Sequence, residues 1–188
     1  MNPVSRYTFR ILGLPARPSM IYLKTTRRKP MVGVEVGTSQ GAHAKNILSR
    51  IPKIKRLYLV DPYRYSEDRD DQHRVGGDYD ENKKMAFNKL APFKDRTVFI
   101  YEPFNSDLIP EKVDFIYIDG DHSTDAVMSD IQESLKIIKD NGIIAGHDIH
   151  YKSVKKGVRT MFGKNYTSFG LDWWINLSSV PKIKLEDT

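Results

Sequence analysis

The chain has 188 residues, of which 39% are hydrophobic and 29% charged, with a net charge of +6 and no cysteine. This composition suits one globular domain with a sizeable core, and the lack of cysteine excludes disulfides and thiol catalysis. No apolar run reaches the roughly 18 residues that span a bilayer, and residues 1–6 lack the apolar stretch of a secretory signal. We therefore expect a cytoplasmic protein with no membrane partner.

Taken in chain order, the sequence alternates short apolar runs with stretches of helical periodicity. Residues 1–30 are interrupted by prolines and are predicted to form an N-terminal arm with a short helix near residues 19–25, whereas residues 31–188 are assigned to one domain. Strands are predicted at residues 31–36, 56–61, 97–101, 113–118 and 142–146, and a terminal hairpin at residues 166–169 and 173–177. Helices are predicted at residues 40–50, 81–90, 124–139 and 153–162, with Asn141-Gly142 capping the third.

This alternation predicts an α/β fold with a mostly parallel sheet and a C-terminal antiparallel hairpin. Glu35, Asp61, Asp119 and Asp148 each lie at or just beyond the carboxyl end of a predicted strand. Open α/β sheets bind ligands along that edge. The four carboxylates therefore predict a binding site rather than scattered surface charge.

The segment Glu35-x-Gly37-x-x-x-Gly41 lies between a predicted strand and a predicted helix. Gly37 allows the backbone to turn sharply close to a ligand, and Gly41 allows the helix to begin nearby. A dinucleotide fingerprint would need a glycine where Ser39 stands. Asp61 follows Glu35 by 26 residues, and a carboxylate at the end of the second strand can accept both hydroxyls of a ribose.

Residues 31–177 resemble the class I S-adenosylmethionine-dependent methyltransferases, and within them a small Asp-Gly-Asp-His group that includes macrocin-type sugar O-methyltransferases and cephalosporin-hydroxylase-like proteins. The likeness is carried by Val113-Asp-Phe-Ile-Tyr-Ile-Asp-Gly-Asp-His-Ser123, Gly142-Ile-Ile-Ala-Gly-His-Asp148, Val154-Lys-Lys-Gly-Val158 and Trp173-Trp174. The resemblance implies a Rossmann-like class I methyltransferase sandwich with S-adenosylmethionine as cofactor.

By the same resemblance, the acid of the first loop reaches the methionine moiety, the acid ending the second strand holds the ribose, and residues 103–106 flank the adenine. An acid in the first loop also makes electrostatic sense, because the cofactor carries a sulfonium and an α-amino group. The implied cofactor-binding residues are Glu35, Val36, Gly37, Thr38, Ser39, Gly41, Asp61, Pro62, Ser106 and Asp119.

Asp119 and Asp148 are predicted to close adjacent strands, and paired oxygen ligands at such an edge suit Mg²⁺. Catechol O-methyltransferase-like enzymes, which the chain resembles here, use a divalent metal at this edge to hold two neighbouring substrate oxygens. The implied ligands are Asp119, His147 and Asp148. A histidine ligand would shift the preference toward Mn²⁺, Fe²⁺ or Zn²⁺.

The predicted catalytic residues are His122 and Asp119. His122 is a candidate general base because its ordinary pKa lies near 6.5, and it is also a candidate ligand. The alternative is a structural role beside Asp121 or Ser123, either of which could cap the following helix. His43 and His150 are expected at the surface.

The leading functional hypothesis is O-methylation of a small hydroxylated acceptor, a sugar or glycosylated metabolite, with residues 63–80 as a lid that binds it. One alternative is a metal-dependent, non-methylating enzyme on the same scaffold, as in the cephalosporin-hydroxylase-like group. Another is a methyltransferase directed at RNA or another nucleic acid through the basic N-terminal arm. The Asn/Asp-Pro-Pro-Tyr/Phe signature of amino-group methylation is absent, which makes a nucleic-acid partner the less favoured alternative. The sequence is also compatible with a homo-oligomer.

Overall fold

A computed structural model describes residues 15–64 and 78–179 as a seven-stranded sheet with helices on both faces. The strands are β1 (Met31–Val36), β2 (Ile54–Val60), β3 (Thr97–Ile100), β4 (Val113–Ile118), β5 (Ile138–Gly146), β6 (Thr167–Phe169) and β7 (Asp172–Asn176). The helices are α1 (Pro18–Thr26), α2 (Ala42–Arg50), α3 (Tyr79–Leu90), α4 (Thr124–Ile137) and α5 (Lys152–Phe162).

The strand order in the sheet is β3-β2-β1-β4-β5-β7-β6. Strands β1 to β5 pair in parallel, whereas β7 pairs antiparallel with both β5 and β6. The predicted α/β fold, with a mostly parallel sheet and a C-terminal antiparallel hairpin, is confirmed. Successive strands run outward from β1 in one direction and from β4 in the other, so the point at which the order reverses lies between these two central strands. Ligands bind at such a switch point in open α/β sheets.

The sequence predicted the beginning of helix α4 correctly but not its end. Its N-terminus is capped by Ser123, whose Oγ accepts a hydrogen bond from the amide of Ala126 at 3.3 Å. The predicted cap at Asn141-Gly142 is wrong, because the helix ends at Ile137 and Ile138 already has extended backbone angles. Ile138 is buried and pairs with Val113 of β4, and this sheet pairing overrides the helical periodicity of the sequence.

The two faces of the sheet carry separate hydrophobic clusters because side chains alternate along each strand. Val34 and Val36 of β1 point toward α4 and α5, in a cluster that also holds Trp173. The opposite face packs against α1 and α2, and Met20 and Leu23 of α1 are completely buried there. Trp174 is partly buried at the edge of this second cluster.

Glu35 lies between Val34 and Val36 and therefore points to the opposite face, the one that α1 and α2 cover. It is aligned with Leu59 of β2 and Tyr117 of β4, both of which are buried. This alternation places one carboxylate of the predicted binding edge inside the protein. None of the helices within residues 15–64 and 78–179 is long and apolar enough to cross a membrane.

Candidate active site

The turn from β1 into α2 approaches the end of β4 closely. Gly37 has a φ of +85°, and a Cβ atom there would lie 2.2 Å from the carbonyl oxygen of Asp119. Gly41, the N-cap of α2, also has a positive φ of +69°. Residues that carry a Cβ atom rarely adopt such φ angles, so the backbone conformation requires both glycines of the Glu35–Gly41 motif.

Asp61 joins this turn to the end of β2. One of its oxygens accepts a hydrogen bond from the amide of Ser39 at 2.8 Å, and the other accepts one from the amide of Tyr63 at 2.9 Å. The hydroxyl of Tyr63 donates a hydrogen bond to the carbonyl oxygen of Ser39 at 2.7 Å. The partly exposed carboxylate is therefore fixed in orientation, and each oxygen retains lone pairs for a ligand hydroxyl.

A cavity of about 360 Å³ opens beside Asp61 at the switch point of the sheet. This volume lies within the usual range of small-molecule sites. The lining residues are Val36, Gly37, Val60, Asp61, Pro62, Arg64, Pro103, Phe104, Gly120, Asp121, Ala126, Ser129 and Asp130. The loop predicted to flank the adenine thus contributes Pro103 and Phe104, whereas the amide and hydroxyl of Ser106 are bound to Glu133.

The cavity wall also holds Asp130, an acid that was not among the predicted site residues. Burial, together with the charges of Asp121 and Glu133, raises the pKa of Asp130 to about 7. At neutral pH this carboxyl can therefore carry a proton and donate a hydrogen bond to a ligand nitrogen. No sequence signal distinguishes it from the other acids of α4.

Three buried polar atoms in the β1–α2 turn have no hydrogen-bond partner among the described residues: Glu35 Oε2, Thr38 Oγ1 and His43 Nε2. Unsatisfied buried groups are rare in folded proteins and usually indicate a function or an absent partner. None of the three lines the cavity itself, but Glu35 and Thr38 lie within two residues of Gly37, which does. Glu35 and Thr38 were both predicted to bind the cofactor, and the orphaned atoms provide a physical reason for that assignment.

The expectation that His43 lies at the surface is wrong. Its side chain is only 11% exposed, and Nδ1 lies 2.7 Å from Glu35 Oε1. The imidazole also packs against the ring of Tyr117 with a centroid separation of 4.2 Å. One sequence signal could have located it, because His43 precedes the buried Ile47 by four residues and so shares its face of α2.

Arg17, at the N-cap of α1, reaches the same region from the N-terminal arm. Its Nη1 donates to the hydroxyl of Tyr117 at 2.6 Å and lies 3.1 Å from Asp119 Oδ2. Tyr117 in turn donates to the buried Asp172, which also accepts hydrogen bonds from the amide and hydroxyl of Ser19. Arg17 was not among the predicted site residues, and Asp172 was predicted to lie in the turn of the hairpin.

Asp119, His122 and Asp148 come together at the carboxyl ends of β4 and β5. Their ligand atoms lie within 4.8 Å of one another, and none of the three is fully exposed. His122 Nε2 lies 3.3 Å from Asp148 Oδ2 and 3.9 Å from Asp119 Oδ1, and its ring stacks on Tyr151. Two carboxylates and an imidazole form a donor set that fits a divalent transition metal.

His147, the implied third ligand, lies beside this cluster. Its Nδ1 is 3.0 Å from Asp148 Oδ1 and 3.8 Å from Asp119 Oδ1, while Nε2 points toward Asp172 at 4.0 Å. Both histidines therefore lie close to the two acids, but the group whose ligand atoms all lie within 4.8 Å of one another contains His122 rather than His147. His150 is exposed, as expected.

The pKa shifts within the cluster favour a protonated His122 and an ionised Asp148. Burial alone would lower the pKa of His122, but its hydrogen bond to Asp119 and the charge of Asp148 raise it overall. Burial alone would raise the pKa of Asp148, but the hydrogen bond and charge of His147 lower it overall. Asp148 also has a φ of +55°, an uncommon conformation for a residue other than glycine that often accompanies functional sites.

Most of the predicted site residues meet at this edge. Within the described residues, those at the edge are Glu35, Val36, Gly37, Thr38, Ser39, Gly41, Asp61, Pro62, Asp119, His122, His147 and Asp148. Ser106 is not among the residues that line the cavity. Of the predicted lid, residues 65–77 lie outside the described part of the chain.

The sequence was compared with protein-family models and with curated proteins. A family model described as "Methyltransferase domain" matches residues 34–149. Among curated proteins, none matches the sequence.

Several solved structures are similar in fold. Cofactor-bound Rv0187 from MTB superimposes with a TM-score of 0.61 at 10% identity, over 94% of this chain and 91% of that one. The ribosomal protein L11 methylase from Lactobacillus delbrueckii subsp. bulgaricus gives 0.56 at 15% identity, over 83% and 73%. The calicheamicin methyltransferase CalS11 gives 0.58 at 13% identity, over 79% and 73%. At these identities the similarity establishes the fold alone.

The family match spans more than half of the chain and runs from β1 through the acidic edge after β5. It includes the glycine turn, Asp61 and the Asp119–Asp148 edge. The chain therefore belongs to the methyltransferase domain family and is an S-adenosylmethionine-dependent methyltransferase.

Proposed function

We propose that the protein methylates a hydroxyl of a small hydroxylated acceptor, a sugar or glycosylated metabolite, with the assistance of a divalent metal. The observation that carries the metal part of the proposal is the convergence of Asp119, His122 and Asp148 within 4.8 Å. The acceptor class is supported by the resemblance of the segments that contain these residues to macrocin-type sugar O-methyltransferases.

The cofactor-binding residues perform three tasks in this proposal. Asp61 accepts hydrogen bonds from the ribose hydroxyls, Pro103 and Phe104 enclose the adenine, and Glu35 neutralises positive charge at the methionine end. When bound, S-adenosylmethionine supplies a methyl group already activated by its sulfonium, so the protein contributes mainly position and charge.

Asp119, His122 and Asp148 would hold the metal, and His147 would orient Asp148 through the 3.0 Å contact between Nδ1 and Oδ1. A divalent cation at this position would lower the pKa of an acceptor hydroxyl and hold it for in-line attack. Because His122 Nε2 faces both acids, this nitrogen can either bind a metal or take the acceptor proton. The donor set favours metal binding.

Two measurements test the proposal. Calorimetry with S-adenosylmethionine, S-adenosylhomocysteine and NAD should show binding of the first two, and tight binding of NAD alone would refute the cofactor assignment. Radiolabelled methyl transfer should then be measured against panels of sugars, glycosides and RNA. Label that accumulates only in RNA would refute the small-molecule acceptor, and hydroxylation without methyl transfer would refute methylation itself.

Metal binding is tested separately by titrating the metal-free protein with Mn²⁺ and following the free ion by electron paramagnetic resonance. Asp148→Asn should weaken Mn²⁺ binding at least tenfold, whereas Asp125→Asn, at an exposed position of α4, should have no effect. Methyl transfer that continues undiminished after chelation would refute metal assistance and assign His122 to proton transfer.

A further inference from the structure

His43, which pairs with the buried Glu35, has no role in the proposed function. Glu35 is 1% exposed near the end of β1, and His43 lies in the first turn of α2. The positive φ angles at Gly37 and Gly41 turn the chain back so that the imidazole meets the carboxylate at 2.7 Å. The tilted ring of Tyr117 packs against the imidazole.

One oxygen of Glu35 and one nitrogen of His43 are thereby paired, and the other atom of each remains unsatisfied. Glu35 Oε2 and His43 Nε2 are buried and have no hydrogen-bond partner in the described part of the chain. Leaving such groups unpaired is costly.

Burial and the charge of Asp119 raise the pKa of Glu35, although Arg17 acts in the opposite direction. Burial, with the charge of Arg17, lowers the pKa of His43 to about 3. The imidazole is therefore neutral at pH 7, with one nitrogen donating and the other accepting. When Glu35 is ionised, Nδ1 must donate to it, so Oε2 and Nε2 are both acceptors.

An ammonium group supplies what these two acceptors lack, because it carries positive charge and three N–H donors. The α-ammonium of S-adenosylmethionine has this chemistry. Taking the cofactor from the proposed function, we propose that His43 is a positioning residue for the amino-acid end of the cofactor: it fixes Glu35 through Nδ1 so that Oε2 receives the α-ammonium.

The test compares two ligands that share the adenosine and the thioether but differ in the amino-acid end. S-Adenosylhomocysteine carries the α-amino acid, whereas 5′-methylthioadenosine lacks it. His43→Leu should weaken the binding of S-adenosylhomocysteine about tenfold in calorimetry, while the binding of 5′-methylthioadenosine stays within about twofold. Lys45→Leu, an exposed position of the same helix, is the matched control.

Conservative variants separate positioning from packing. The side-chain amide of His43→Asn can donate to Glu35 in place of Nδ1, and should restore S-adenosylhomocysteine binding to within about threefold of wild type. In a Glu35→Gln background, His43→Leu should cause little further loss, because the two residues act through one contact.

Three results would overturn the inference. The first is wild-type binding of S-adenosylhomocysteine by a folded His43→Leu protein, and the second is an equal loss of both ligands. The third is additive losses in the double variant. Failure of the cofactor assignment is recognised independently, because the wild-type protein would then bind neither ligand.

Discussion

Replacing Gly37 by alanine tests the central geometric claim, that the β1–α2 turn lies directly against the end of β4. The new Cβ atom would lie 2.2 Å from the carbonyl oxygen of Asp119 and 2.7 Å from Cα of Gly120. Both contacts are with backbone atoms, so the strand ends must separate to relieve them. The positive φ of +85° costs about 1–3 kcal/mol for alanine, and overpacking adds about 1–3 kcal/mol.

Gly163 provides the matched control. It also has a positive φ, +60°, but no atom lies within 4 Å of a Cβ added there. Gly163→Ala should therefore lower the free energy of unfolding through backbone strain alone, and Gly37→Ala should lower it by about a further 1–3 kcal/mol. Chemical denaturation measures both values. A difference below about 0.5 kcal/mol, a typical effect of a neutral substitution, would refute the close approach of the two strand ends.

Three further predictions follow from the site. Asp61→Asn should weaken S-adenosylhomocysteine binding by about 10²-fold in calorimetry, since a charged acceptor for the ribose is lost; a loss no larger than that of Asp95→Asn, at an exposed position, would contradict the ribose assignment. Arg17→Gln should lower the free energy of unfolding, measured by chemical denaturation, by about 1–3 kcal/mol. The reason is that Tyr117 and Asp119 lose the guanidinium that pairs with them. An unchanged denaturation midpoint would contradict this. The raised pKa of Glu35 means that its stabilising contribution is complete below the unfolded-state pKa of about 4.3 and is lost as pH rises through the folded-state pKa. Glu35→Gln should therefore gain stability relative to wild type as pH rises, and thermal unfolding curves that differ equally at all pH values would contradict this.

The fold was predictable because each strand of the parallel part of the sheet has a local signal. Residues 31–36 and 113–118 are short runs rich in β-branched and aromatic residues, and both were predicted with the bounds that the structure has. Strand ends are punctuated by acids, so counting along the sequence was enough to place Asp61, Asp119 and Asp148 at one edge. The rule that ligands bind at the carboxyl ends of parallel strands then completed the prediction.

The remaining residues were missed because their partners are distant in the sequence. Asp172 is 153 residues from Ser19 and 55 from Tyr117, and these are the groups that hold it. Arg17 reaches the site only because Met20 and Leu23 anchor α1 in the core on that face. No local pattern around Arg17 predicts this packing. His43 differs, since its face of α2 could have been deduced from Ile47.

The charge distribution connects these residues to the reaction. The chain carries a net charge of +6, yet the ends of β1, β2, β4 and β5 bring together Glu35, Asp61, Asp119 and Asp148. Arg17 offsets part of this charge by pairing with Asp119, and burial opposes the ionisation of Glu35. The four carboxylates at this edge repel one another, because close carboxylates disfavour one another's ionised forms. A cofactor with a sulfonium and an ammonium group would relieve that repulsion on binding. The same attraction would weaken once the methyl group has left, since the product sulfur is neutral, and this difference in charge would favour exchange of the product for a fresh cofactor.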